Sequence, residues 1–165
     1  MRYSSLREYF YKMHNFLYGI VLIPFLTFVV LYWQMREGNI EGPFRMNDWY
    51  RNIMLGACGL IITTDWILSA FLFSKGIKAT HSLGSLGKKL DRYFSFILFR
   101  FAIVVSGTLT LAIAFYLTES QYFTVMFVLN MFLLFFFWPT PAKVCDDLLL
   151  KGDERTLVQH KMDRL

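Results

Sequence analysis

Two ionisable residues sit inside runs of apolar sequence, and they carry most of the chemistry this chain can offer. Asp65 lies within Ile53–Phe73, and Arg100 lies near the start of Phe94–Leu117. A charged side chain near the centre of a bilayer costs at least ~2.5–3.5 kcal/mol on insertion scales. Such a residue is kept when it is paired, wetted or used. Asp65 stands about nine residues outward from the inner end of its segment and Arg100 about seven. At 1.5 Å per residue those depths are ~13 Å and ~10 Å. A long arginine side chain spans the difference, so the spacing predicts an Asp65–Arg100 ion pair, within one chain or across an interface. The pair either fixes helix packing or forms part of an ion or proton path. A carboxylate held by arginine is a poor proton carrier unless the pair opens.

The remaining intramembrane polar groups are Thr63, Thr64, Ser69, Ser106, Thr108, Thr110 and Asn130. Ser and Thr commonly bond their own helix backbone. Small residues suggest where helices approach closely. Ala102, Ser106, Gly107, Thr110 and Ala114 form one stripe, with Arg100 at its edge, and Gly56, Gly59, Thr63 and Ala70 form another. Asp65 falls nearly opposite the second stripe, on a face with Cys58 and Ser69. That segment is therefore read as having two packing faces, one for this chain and one for a second copy or another protein.

The elements that must position these residues follow from hydropathy. The chain has 165 residues, of which 56% are hydrophobic and 18% charged, against about 25% charged in soluble domains. Four apolar segments, at about 16–33, 53–73, 94–117 and 122–138, are each close to the ~20 residues a spanning helix needs. The alternation of a membrane β-barrel is missing. The expected fold is an all-α, up-down, four-helix transmembrane bundle over 1–138, with an amphipathic helical tail over 139–165.

Lysine and arginine set the direction. Arg2, Arg7 and Lys12 precede the first segment, and Lys75, Lys78, Lys88, Lys89 and Arg92 join the second to the third. Lys143, Lys151, Arg155, Lys161 and Arg164 lie in the tail. Only Arg36, Arg45 and Arg51 lie in the first connecting loop, and the second has none. Thirteen of seventeen basic residues thus share a side, which places both termini in the cytoplasm and fits a bacterial inner membrane. The first segment is too long for a signal h-region, and Trp33-Gln34-Met35-Arg36 offers no small-residue cleavage site. Trp33, Trp49, Tyr50, Tyr116 and Tyr122 read as an outer aromatic belt, and Tyr9, Tyr11, Tyr93 and Trp138 as an inner one. The basic loop with Lys75, Lys78, Lys88, Lys89 and Arg92 is expected to touch anionic headgroups.

Helix punctuation is clearest in the tail. Thr140 is a good N-cap and Pro141 suits the first helical position. The pattern predicts a helix to about Lys151 stopped by Gly152, then a second with Leu157, Val158, Met162 and Leu165 as its apolar positions. Asn47 or Asp48 is the candidate cap for the second spanning helix. The tail is expected to lie on the membrane or dock on a partner.

Several chemistries are disfavoured. His14, His81 and His160 all fall outside the spanning segments and make no metal site, which argues against axial haem ligation. Cys58 and Cys145 form no Cys-x-x-Cys motif. The glycine- and serine-punctuated loop 76–89 matches no phosphate-loop pattern. The acidic residue that small four-helix multidrug exporters carry in their first helix is missing here. No basic stretch has the interleaved aromatics of a nucleic-acid surface. No cofactor, metal or catalytic residue is assigned. The sequence favours a non-enzymatic membrane subunit or interaction module, oligomeric or partnered. The alternative is a small channel or transporter with Asp65 on its path, and a weaker one is an enzyme handling lipid or quinone at the inner interface.

Overall fold

The computed structural model describes residues 5–43 and 48–160. Among them, every regular element is a helix: α1 (Leu6–Arg36), α2 (Asp48–Thr80), α3 (Leu86–Thr118), α4 (Gln121–Phe136), α5 (Pro141–Asp147) and α6 (Gly152–Gln159). Asn47, Met162 and Leu165, named above for a cap and for tail packing, lie outside the described residues, as do Arg2, Arg45, Lys161 and Arg164.

The first three helices are longer than their apolar segments. At 31 to 33 residues each, they measure about 47–50 Å and project beyond the hydrocarbon. Serine starts two of them. Ser5 Oγ accepts from the Glu8 amide at 3.2 Å, and Ser85 Oγ accepts from the Lys88 amide at 3.4 Å, each satisfying a donor the first turn leaves open. These three helices are long and apolar enough to cross a membrane, and α4 reaches that criterion only together with α5, across a 75° bend. The bend falls at Trp138-Pro139-Thr140. Thr140 Oγ1 accepts from the Lys143 amide at 3.3 Å, and Pro141 occupies the first turn of α5.

α3 is the hub, against which α1, α2 and α4 all pack. Half of its most apolar window is buried, against 17% for α1 and 11% for α2. The loop between α1 and α2 is held down at Gly42. The Gly42 amide donates to Glu119 Oε1 at 2.6 Å, and a Cβ at Gly42 would stand 2.6 Å from the Tyr116 carbonyl oxygen, so only glycine fits there. Glu119 itself closes α3 in the left-handed conformation, φ 53°.

The tail differs from its sequence reading. α5 stops at Asp147, where Leu149 takes φ 51°, and Gly152, φ 55°, opens α6 instead of ending α5. Both short helices fold back on their own chain. Val144 and Val158 are fully buried, Lys89 Nζ meets Glu154 Oε2 at 2.9 Å, and His81 Nε2 lies 3.1 Å from the Asp147 carbonyl oxygen. Of the apolar positions expected in the second tail helix, Val158 is buried and Leu157 packs against the chain's own core.

Candidate functional site: the intramembrane polar residues

The antiparallel register of α2 on α3 decides which polar groups meet. A Cβ at Gly76 would collide with the Phe96 ring at 2.6 Å, and one at Gly107 would collide with Asp65 Oδ2. Both contacts belong to a single register, in which the position level with Arg100 is Leu72 and the position level with Asp65 is Gly107. Asp65 and Arg100 therefore stand about seven residues apart along the seam, roughly 10 Å. Among the described residues no hydrogen bond or ion pair joins them, and neither Asp65 Oδ2 nor Arg100 Nε has a partner within the chain. The two levels differ from the depths read off the apolar segments because α3 begins eight residues before Phe94, and its first turns extend past the end of α2.

Each charge has a different environment. Arg100 is 8% exposed. Its guanidinium lies over two aromatic faces, 4.9 Å from the Phe73 centroid and 4.4 Å from that of Phe137. This sandwich ties α2, α3 and the end of α4 together through cation–π attraction, which strengthens when water is excluded. The guanidinium Nε has no hydrogen-bond partner. Lys143 of α5 approaches the same Phe137 ring at 5.0 Å, and its Nζ donates to the Phe136 carbonyl at 3.1 Å.

Asp65 is half-buried, facing α3 with Cys58 and Ser69 on the same side of α2. Its Oδ2 is enclosed and has no hydrogen-bond partner. Gly107 makes the space that admits it.

A third polar group links three helices. The Trp66 indole donates to Asn130 Oδ1 at 2.8 Å, Asn130 Nδ2 donates to Thr108 Oγ1 at 2.7 Å, and Thr108 Oγ1 donates to the Val104 carbonyl at 2.9 Å. Asn130 and Thr108 are 3% and 0% exposed. Interhelical hydrogen bonds in membranes average ≈0.6 kcal/mol and reach ≈1.7. Asn130→Leu, which severs both side-chain links, is expected to cost about 1 kcal/mol, read as a lower unfolding midpoint in mixed micelles. An unchanged midpoint would show that the strap contributes nothing.

The small-residue stripes divide. On α3, Gly107 and Ala114 are buried, Thr110 is half-buried, and Ala102 and Ser106 are exposed. On α2, Gly56, Thr63 and Ala70 are exposed and Gly59 is half-buried. Nothing lies within 4 Å of a Cβ built at Gly56 or Gly59, and Thr63 Oγ1 donates to its own helix at Gly59 O, 2.7 Å. So the Asp65 face of α2 meets α3, and the Gly56–Gly59 face points away from the chain. Of the basic loop residues, Lys75, Lys78, Lys88 and Arg92 are exposed. Lys89 is taken by Glu154.

Sequence reasoning missed five contributors. Trp66 was one more aromatic in an apolar run, although an indole N–H at that depth demands a partner. Phe73 and Phe137 gave no sign, because nothing in a phenylalanine marks it as a cation's neighbour. Tyr9 and Tyr93, read as belt residues, are 1% and 0% exposed. Tyr9 donates to the Leu90 carbonyl at 2.9 Å, and Tyr93 donates to Asp147 Oδ2 at 3.0 Å. Burial pushes the Asp147 carboxyl above the ordinary carboxylate range, opposed by the Tyr93 hydrogen bond and the charge of Lys143. Cys58 and Cys145 are both free and buried, and no cluster of three His, Cys, Asp or Glu that could hold a metal occurs among the described residues.

Three helices of spanning length and composition on one chain define a multi-pass membrane protein. Comparison with family models, curated proteins and solved structures finds no match, so the functional reading stands on this chain's own geometry.

Proposed function

We propose that the chain is a non-enzymatic membrane subunit that assembles with a second copy of itself through the outward face of α2. The observation that carries this is the disposition of that helix. It has 33 residues, it packs against α3, and only 11% of its most apolar window is buried. Gly56, Gly59, Thr63 and Ala70 would let another helix backbone approach closely, which is how helices associate where lipid removes the hydrophobic drive. In this reading α4 is a fourth span, and 1–138 forms the membrane domain. Residues 139–165 form a cytoplasmic tail, both termini lie in the cytoplasm of a bacterial inner membrane, and exposed Lys75, Lys78, Lys88 and Arg92 meet anionic headgroups.

Native mass measurement after gentle extraction tests it. The wild-type chain should run as a dimer or higher oligomer, and Gly56→Leu/Gly59→Leu should shift it to monomer without lowering its unfolding midpoint. A monomer at every concentration, or an oligomer indifferent to both substitutions, overturns the reading.

One observation favours a second reading, an ion or proton path through Asp65. Its enclosed Oδ2 has no partner within the chain, and a carboxyl in that setting requires a proton or a counter-charge from elsewhere. Flux into liposomes that is lost in Asp65→Asn supports this path; flux that is absent, or equal in the two proteins, eliminates it.

A further inference from the structure

Two cavities on the outside of α1 share Tyr18 in their linings, which change character where the first apolar segment begins. The first is lined by Arg7, Tyr11, His14 and Asn15, among others, and ends at Tyr18. The second starts at Tyr18 and continues between α1 and α4, past Val21, Leu22 and Phe25 on one side and Met131 and Phe135 on the other. Trp138 marks the junction. Its ring stacks on His14 at 6.0 Å and meets Tyr18 at 4.7 Å. His14 Nε2 is also held 3.0 Å from the Pro139 carbonyl oxygen, so the α4–α5 bend builds the back wall. From Arg7 to Phe25 the groove follows α1 for about 27 Å.

We propose that this groove is a binding site for one anionic phospholipid of the leaflet at the basic end of the bundle. The order of the chemistry matches the ligand. The polar half lies before residue 16, outside the apolar segment, and the apolar half of about 310 Å³ lies within it. Arg7 is exposed and enters no ion pair among the described residues. No acidic side chain lines either half. A guanidinium beside imidazole, amide and phenol groups suits a phosphodiester. Basic pockets at the ends of spanning helices hold acidic headgroups in the same way. The acyl chain lies along exposed Leu22, Phe25 and Phe135, over buried Met131. No residue of α2 contributes, so this site is independent of the proposed assembly face.

The test uses the full chain extracted into mixed micelles containing equal phosphatidylglycerol and phosphatidylcholine, followed by native mass spectrometry. One phosphatidylglycerol should be retained per chain in preference to phosphatidylcholine. Arg7→Gln should weaken that retention about fivefold, the effect of losing one basic contact at a charged surface. Leu22→Trp, which fills the apolar half from a position 51% exposed, should abolish it while leaving the unfolding midpoint unchanged. Equal retention of both lipids, retention that survives both substitutions, or a retained quinone in place of phospholipid would each overturn the assignment. So would loss of retention in Lys75→Gln/Lys78→Gln with Arg7→Gln unaffected.

Discussion

Replacing Arg100 by alanine is expected to destabilise the folded bundle by roughly 2 kcal/mol, while replacing it by methionine should leave stability unchanged or raise it. The two outcomes follow from opposing terms. Truncation to alanine removes two desolvated cation–π contacts, each worth up to about 2 kcal/mol, and leaves a cavity between Phe73 and Phe137. Against this, it removes a charge whose intramembrane cost is about 3 kcal/mol. The contact and cavity losses win by a modest margin. Methionine fills the same slot, packs its sulfur on both rings and relieves the same charge, as when buried ions elsewhere are replaced by apolar groups of similar volume. Arg100→Lys should fall near alanine, because a compact ammonium lacks the flat guanidinium that stacks. Reversible unfolding in mixed micelles gives all three values. Should the alanine variant match wild type, or methionine prove as damaging as alanine, the aromatic sandwich is not what holds Arg100.

The second large effect concerns Gly107. A methyl group there would occupy the place of Asp65 Oδ2, so Gly107→Ala should push α2 off α3 or force the carboxyl aside, at about 1–3 kcal/mol. Asp65→Ala by itself should be neutral or stabilising, since it removes an intramembrane carboxyl with no partner for Oδ2. In the double variant the space freed at 65 accepts the new methyl, and the penalty at 107 should largely vanish. That leaves a coupling energy of about 1–2 kcal/mol between the two positions. Asp65→Asn keeps the shape and changes the charge, so Asp65→Asn/Gly107→Ala should stay destabilised, identifying the conflict as steric. Additive effects at 65 and 107, with coupling between 65 and 100 instead, would restore the ion pair that the register argues against.

Membership of the bilayer was legible because insertion is close to a sum over the residues of one segment. Leu60, Ile61 and Ile62 are apolar wherever their helix turns, so hydropathy locates α1, α2 and α3 without knowledge of their neighbours. The start of α5 was legible for the same reason, as Thr140 and Pro141 act within their own turn, whereas Gly152, read as a stop, opens α6. What the sequence could not determine was anything set between helices. The level of Asp65 against Gly107, and of Arg100 against Phe73 and Phe137, depends on how far α3 runs past the end of α2, and no residue type reports that length. The choice of the Asp65 face of α2 over the Gly56–Gly59 face was likewise made by packing, since both faces read as suitable. The tail's apolar positions were visible, but whether they met lipid, a partner or their own chain depended on the bend at Pro139, which brings Val144 and Val158 under the bundle. Composition fixes which side chains must leave water, and only the tertiary structure decides which of them leave it together.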